Sequence, residues 1–146
     1  MGAIVACMDS GRSFNEWPAM DGGFLPPAIM WDETLGWQNW LEIPAYVQFA
    51  HRCGAYLVFA VTLMHCFACW RYAPRSTHAW RALVLVLLMT AQAIVGIVTL
   101  IMAVQHSWAL MHQGLAFIIF GFAVAHLRAM TGPMPLLSGR AHLHAR

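Results

Sequence analysis

The sequence predicts an all-α protein, a polytopic membrane helix bundle, and two observations lead to this prediction. The 146 residues are 60% hydrophobic and only 10% charged, whereas about 25% of the residues in a typical soluble domain are charged. Three stretches are also long enough to cross a bilayer, since about 20 mostly apolar residues match a hydrocarbon core of roughly 30 Å. The composition excludes an ordinary soluble domain, and we expect the lipid bilayer, not nucleic acid, as the surroundings of this chain.

The chain divides into four predicted regions. The first is apolar but too short to span a membrane, and it lacks the basic region and cleavage site of a signal peptide, so it is expected to be the end of a truncated transmembrane helix. An extramembrane loop, a three-helix transmembrane region and a tail follow. In order, the four regions are 1–8, 9–45, 46–130 and 131–146. Within the third, the predicted spans are 46–70, 82–104 and 107–130.

The loop is rich in glycine, proline and tryptophan. Turns are indicated at Asp21-Gly22-Gly23 and at Pro26-Pro27, and Pro44 is a natural first residue for a helix, where its missing N–H costs nothing. The tryptophans either lie on the membrane surface or over a bound ligand, or they serve as simple interfacial anchors. These tryptophans are Trp17, Trp31, Trp37 and Trp40.

Charge is distributed unevenly along the chain. All six acidic residues precede residue 43, and seven of the eight arginines follow it. Basic residues between and after membrane spans mark the cytoplasmic or matrix side. The turn between the first two spans and the C-terminal tail are therefore predicted on that side, and the loop 9–45 on the outer side. Either a bacterial inner membrane or a mitochondrial inner membrane fits this pattern.

Two histidines are predicted at matched depth near the outer face. His51 lies in the first span and His112 in the third, and these spans run in the same direction because the second connects them. Two imidazoles on neighbouring helices can hold a haem iron from opposite sides. An ionisable group inside a membrane span needs such a reason. Arg52 lies beside His51 and is expected to meet a haem propionate.

A second pair of histidines lies fourteen residues further along the same two helices, at His65 and His126. Fourteen residues are nearly a whole number of helical turns, so a second haem is one interpretation. The other is that both residues form hydrogen bonds near the inner water boundary. Cys66 and Cys69 form a lone C-x-x-C there, which we interpret as small packing residues in preference to a metal site, because a structural zinc site needs four ligands.

Several motifs together resemble the second half of a haem A synthase of the alphaproteobacterial and mitochondrial type. The match extends over nearly the whole chain up to the arginine-bearing tail. The residues that carry it are Gly2-Ala3-Ile4-Val5-Ala6, Phe14-Asn15-Glu16-Trp17-Pro18-Ala19-Met20-Asp21-Gly22, Pro26, Asn39-Trp40-Leu41-Glu42, Val47-Gln48-Phe49-Ala50-His51-Arg52-Cys53-Gly54-Ala55-Tyr56, Gln92, Gly96-Ile97-Val98-Thr99-Leu100 and Ala109-Leu110-Met111-His112-Gln113.

The resemblance implies an eight-helix fold of two pseudo-symmetric halves that oxidises a ring methyl of haem O to the formyl group of haem A. Each half holds a tetrapyrrole between two histidines. Gln48 stands where the substrate half has glutamate, which implies that this chain is the half that holds a b-type haem. The implied cofactor-binding residues are His51 and His112 as iron ligands, with Arg52 and Gln48 beside them, and no catalytic residue is assigned.

The resemblance also implies that the chain is one half of the family's fold, three full spans and the end of a fourth. Without the substrate half it is not expected to be active alone. The expected partners are haem and the missing half or another chain, and a homo-oligomer is possible. Two other classes stay open: a di-haem b-type cytochrome subunit that uses His65 and His126 for electron transfer, and a structural subunit without a cofactor.

Overall fold

The computed structural model describes residues 2–132, and nearly all of its regular structure is helical. No strand occurs within this range, as the all-α prediction requires. The five α-helices are α1 (Gly2–Cys7), α2 (Asn39–Glu42), α3 (Pro44–Tyr72), α4 (Thr77–Ile101) and α5 (His106–Met130). Apart from its first two residues, the predicted tail 131–146 lies outside the described range.

Helices α3, α4 and α5 are each long and apolar enough to cross a membrane, with 29, 25 and 25 residues. Large apolar side chains on their outer surfaces are exposed, among them Met64, Phe67 and Phe117 at 70%, 72% and 70%. Such a surface would be unfavourable in water, but it is the normal surface of a helix in contact with lipid. The chain is an integral membrane protein.

The ends of the spans differ from the predicted ends for local reasons. Helix α4 begins at Thr77, five residues before the predicted span, because the Ser76 side chain accepts a hydrogen bond of 3.1 Å from the Ala79 N–H and caps the first turn. It ends at Ile101, since Ala103 and Val104 have positive φ angles of 51° and 57° that a right-handed helix does not contain. Helix α3 begins at Pro44, as predicted.

Helix α4 is central to the bundle, since it packs along both α3 and α5. We call the end of the bundle where α3 stops and α4 starts the inner end, and the opposite end the outer end. At the inner end, Cys69 is buried against Ala79 and Ala82, and the rings of Trp70 and Trp80 meet edge to face with their centroids 5.2 Å apart. Within the described residues, α3 and α5 make no comparably extensive contact with each other. Helices α3 and α5 are therefore held in place mainly through α4.

The segment between α1 and α3 lies over the outer end of the bundle. It contains three short 3-10 turns, Ser10–Arg12, Ala28–Met30 and Gly36–Gln38. Phe14 and Met20 are buried with Ala45 in a small core at the start of α3. The segment also reaches the far side of the bundle, because the Asn15 side chain donates to the Leu100 carbonyl oxygen over 2.9 Å and the Gly11 backbone lies against the Val104 side chain.

The turn predicted at Asp21-Gly22 is confirmed. Both residues have positive φ angles, 56° and 78°, and the flanking Met20 and Gly23 exchange backbone hydrogen bonds of 2.6 and 3.3 Å. The Glu16 carboxylate accepts hydrogen bonds from the N–H groups of Asp21 and Gly22. This turn is the hairpin type that favours asparagine, aspartate and glycine.

Two of the tryptophans in the outer segment surround the first turn of α3. The rings of Trp31 and Trp40 meet the Tyr46 ring edge to face, at centroid distances of 5.2 and 5.5 Å. Trp37 is 71% exposed, and the Trp17 indole N–H donates to the Tyr56 hydroxyl over 3.1 Å. Trp17, Trp31 and Trp40 thus connect the segment to α3, whereas Trp37 is exposed.

A first prediction concerns the exposed turn at Asp32. Hydrogen bonds from the Thr34 hydroxyl (2.6 Å) and the Thr34 N–H (2.8 Å) hold the pKa of the Asp32 carboxyl below its ordinary value, the hydroxyl having the larger effect. A depressed pKa stabilises the turn above the pKa of the unfolded chain, and this contribution is lost as pH falls through the folded value. In Thr34→Ala we expect the pKa of Asp32 to rise towards its ordinary value in an NMR titration. An unchanged pKa would contradict this account.

Candidate functional site

The side chain of His112, on α5, packs against the half of α4 that is nearer the outer end. The Gln92 side-chain amide donates to the His112 carbonyl oxygen over 3.0 Å, and its nitrogen lies 3.4 Å from the His112 Nε2 atom. One turn further along α4, Gly96 lies directly under the ring. A Cβ atom added there would come within 2.7 Å of the His112 Cε1 atom, which is too close for two carbon atoms, so only glycine leaves room for the imidazole in this position.

The His112 ring is only half satisfied by these neighbours. Its Nδ1 atom is buried and has no hydrogen-bond partner among residues 2–132. Buried polar atoms in proteins are nearly always paired, so an unpaired one calls for an explanation such as a bound ligand or ion. The Nδ1 atom is therefore free to bind a metal ion or to form a hydrogen bond with a ligand.

His51 lies at the same level as His112. It comes seven residues after the start of α3 and His112 six after the start of α5, which places both roughly 9–10 Å along helices that run in the same direction. The His51 ring is half-buried beside α1, where a Cβ atom on Gly2 would lie 4.0 Å from Cε1. The two histidines predicted as iron ligands thus lie at one level of the bundle, on two helices that both pack on α4.

Arg52 contacts the outer segment through its guanidinium group. It donates to the carbonyl oxygens of Glu16, Pro18 and Ala19 over 2.9, 3.2 and 3.0 Å, and only 9% of the residue is exposed. The haem propionate expected from the sequence stays a prediction, and the structure gives the terminal nitrogens of Arg52 to backbone oxygens. The physical reason is that this stretch of loop lies directly over α3 with carbonyl groups that need donors.

Gln48 acts in the same way one turn earlier on α3. Its amide nitrogen donates to the carbonyl oxygens of Phe14 and Gly11 over 2.9 and 3.4 Å, and the residue is 3% exposed. Gln48 and Arg52 are four residues apart and so share one face of the helix, which is turned to the loop. Of the four predicted site residues, the two histidines thus lie in the bundle, and Gln48 and Arg52 bind the segment between α1 and α3 to it.

At the inner end of the bundle, His65 and His126 are in direct contact. Their Nε2 atoms are 2.8 Å apart, whereas two nitrogens on one iron would be separated by roughly 4 Å, twice a metal–nitrogen bond of about 2.0 Å. This arrangement does not fit a haem between the two rings. Cys69 packs against Ala79 and Ala82, as predicted, and its Sγ atom also lies 3.6 Å from the His65 Nε2 atom.

Three residues at these two places were not assigned a role from the sequence. From the sequence, Gln92 and Gly96 enter only as part of the resemblance. Their position under His112 depends on how α4 packs against α5, which residue type alone does not indicate. His78 lies beside His126, with ring centroids 6.3 Å apart. The spacing of His65 and Cys69, four residues apart on one helix, was a signal available in the sequence.

Comparison with known proteins gives a consistent family. Residues 1–124 match the model of a family described as cytochrome oxidase assembly protein. The chain is 47% identical over 135 residues to a protein named heme A synthase from Rhizobium meliloti, covering 92% of this chain and 36% of that protein. Proteins of the same name from Mesorhizobium japonicum and a Chelativorans species are 49% and 45% identical, covering 93% and 97% of this chain and 37% and 39% of theirs.

The chain spans somewhat more than a third of the length of these curated relatives, and the matched region is their C-terminal part. No solved structure matches it. The family match includes α3, α4 and most of α5, with both histidines of the outer pair. The chain therefore belongs to the family described as cytochrome oxidase assembly protein.

Proposed function

We propose that this chain is the haem b-binding half of a haem A synthase, the membrane oxidoreductase that converts haem O to haem A for cytochrome oxidase. The observation that supports this most is the placement of His112, fixed on α4 by Gln92 and Gly96 at the level of His51. The relatives' name supplies the reaction, and the reaction of the whole protein is part of the proposal.

The residues of the outer bundle fit a b-type haem. Two half-buried imidazoles lie at one level on helices that are both packed on α4, and one of them has an unpaired buried nitrogen. A haem iron held by two histidines supplies one-electron transfer. His51 and His112 would hold the iron, while Gln48 and Arg52 hold the outer segment over the site and limit the access of water.

We assign no catalytic residue to this chain. The proposed division of labour is that this half carries electrons and that the oxidation of the substrate methyl takes place in the other half of the protein. The proposed partner is therefore a segment or chain that carries that half, and a homo-oligomer is a further arrangement. By the charge distribution, the iron would lie near the outer face of a bacterial or mitochondrial inner membrane.

The test is an absorption spectrum of the detergent-purified chain together with its haem content. We expect one haem per chain, and in His51→Ala and His112→Ala we expect haem retention to fall at least about tenfold, because changes around metal ligands already cost 10–100-fold. His106→Ala is the matched control, since His106 is exposed at the first position of α5 and should leave the spectrum unchanged.

Three outcomes would contradict the proposal. An unchanged low-spin haem spectrum in His112→Ala would show that the ligand assignment is wrong. Two haems per chain, one of them lost in His65→Ala, would instead favour the di-haem electron carrier, and a colourless protein would favour a structural subunit.

A further inference from the structure

We infer that the inner end of the bundle is a zinc site formed by His65, Cys69 and His126, separate from the outer histidine pair. One donor atom from each of the three residues lies within 4.8 Å of the other two. His65 and Cys69 come from adjacent turns of one face of α3, and His126 comes from α5. The cluster therefore joins the two helices that otherwise meet mainly through α4.

The chemistry of the donors selects the kind of ion. The cluster offers two imidazoles and one thiol, and the sequence contains no acidic residue after Glu42, so no carboxylate from the spanning helices can take part. Hard cations such as Mg²⁺ and Ca²⁺ need oxygen ligands. Nitrogen and sulfur donors in this combination are those of tetrahedral Zn²⁺ sites.

Two of the three distances between donor atoms are close to those of a tetrahedral zinc site, and the third, from Cys69 to His126, is within 4.8 Å. With Zn–N and Zn–S bonds of about 2.0 and 2.3 Å, the edges of a tetrahedral site are roughly 3.3 Å between nitrogens and roughly 3.5 Å between nitrogen and sulfur. The Cys69 Sγ atom is 3.6 Å from the His65 Nε2 atom, and the two Nε2 atoms are 2.8 Å apart. The imidazoles must separate by about half an ångström as the ion replaces their hydrogen bond.

The proton balance of this exchange is simple. The Cys69 thiol gives up its proton when it binds the ion as a thiolate. The proton that lies between the two imidazoles moves to an Nδ1 atom of its own ring, so that both Nε2 atoms are free to bind. One proton is therefore released for each zinc ion bound.

Two buried nitrogens near the cluster have no partner. The Nδ1 atoms of His126 and His78 are buried and form no hydrogen bond with any described residue, and His126 is only 4% exposed. A cavity of about 270 Å³ lies against His65, Cys69 and His78. An ion could enter the cluster through this cavity. The cavity also has space for a fourth ligand, either His78 after a rotation of its ring or a water molecule.

The two cysteines of the C-x-x-C motif provide a matched experiment. Cys69 supplies a donor atom to the proposed site, whereas Cys66 is partly buried against the packed residues between α3 and α4 and is not among the three clustered donors. The purified full chain, stripped of metal, is titrated with Zn²⁺ in competition with a chelator and with Co²⁺ as a spectroscopic probe. We expect one ion per chain and a sulfur-to-cobalt charge-transfer band. Cys69→Ser should abolish the band and weaken zinc binding at least about tenfold, whereas Cys66→Ser should leave both unchanged.

The same variants separate this inference from the proposed function. The haem spectrum should be unchanged in Cys69→Ser and in His126→Gln, and it also reports that each variant is folded. Zinc binding that is equal in Cys69→Ser and the unsubstituted chain would overturn the site. A charge-transfer band lost in Cys66→Ser, or tight binding of Cu(I) with no binding of Zn²⁺, would overturn it as well.

Discussion

Replacing Arg52 by alanine is expected to release the outer segment from α3. Three backbone carbonyl groups, those of Glu16, Pro18 and Ala19, would lose their shared donor. Hydrogen bonds to charged groups contribute about 1.5–3 kcal/mol each, so the docked segment should lose about 3 kcal/mol or more. Because 1.4 kcal/mol corresponds to a factor of ten, hydrogen exchange of amides in residues 10–20 should become at least about 100-fold faster.

Arg12→Ala is the control for this change. Its ion pair with Asp9 spans 3.3 Å, and both side chains are more than half exposed, so the pair should contribute no more than about 1 kcal/mol. The same amides in Arg12→Ala should exchange nearly as they do in the unsubstituted chain. Haem loss in Arg52→Ala with no change in exchange would favour the propionate contact predicted from the sequence.

The second large effect is expected at Gly96. In Gly96→Ala the new Cβ atom would lie 2.7 Å from the His112 Cε1 atom, so the ring must leave its place and lose its contact with Gln92. Overpacking of this kind costs about 1–3 kcal/mol, which corresponds to roughly 5–150-fold in affinity. We expect haem retention to fall by that factor when the purified variant is titrated with haem.

Gly114→Ala makes the same chemical change two residues beyond His112, where an added Cβ atom has nothing within 4 Å. It corrects for the higher helix propensity of alanine and should bind haem as before. Equal haem affinity in Gly96→Ala and Gly114→Ala would show that the position of the His112 ring is not needed for the site.

The membrane spans could be predicted from the sequence because their signal is local. Each is a continuous apolar run, and Pro44 marks the start of α3 by its own backbone chemistry. The predicted start of α4 is five residues late. The helix, capped by Ser76, begins with the polar or charged residues Thr77, His78 and Arg81 among its first five, and these lower the local hydropathy. Hydropathy indicates which part of a helix lies in the hydrocarbon core, and a helix can extend beyond that part.

The candidate site was predictable only in part, for a similar reason. Counting residues from the helix ends is enough to bring His51 and His112 to one level, because helical rise is regular. The partners of Gln48 and Arg52 are backbone oxygens 33 to 37 residues away in the chain. Every residue has such an oxygen, so no sequence pattern distinguishes these from the rest.

The contacts of the outer segment also set an order for biosynthesis. Asn15 is synthesised 85 residues before Leu100, the residue whose carbonyl oxygen it contacts, and Gly11 likewise precedes Val104, against which it lies. Contacts between residues so distant in sequence form late in folding. The segment can therefore reach its final position only after the whole of α4 has been synthesised and inserted, so the first residues of the chain are among the last to settle on the bundle.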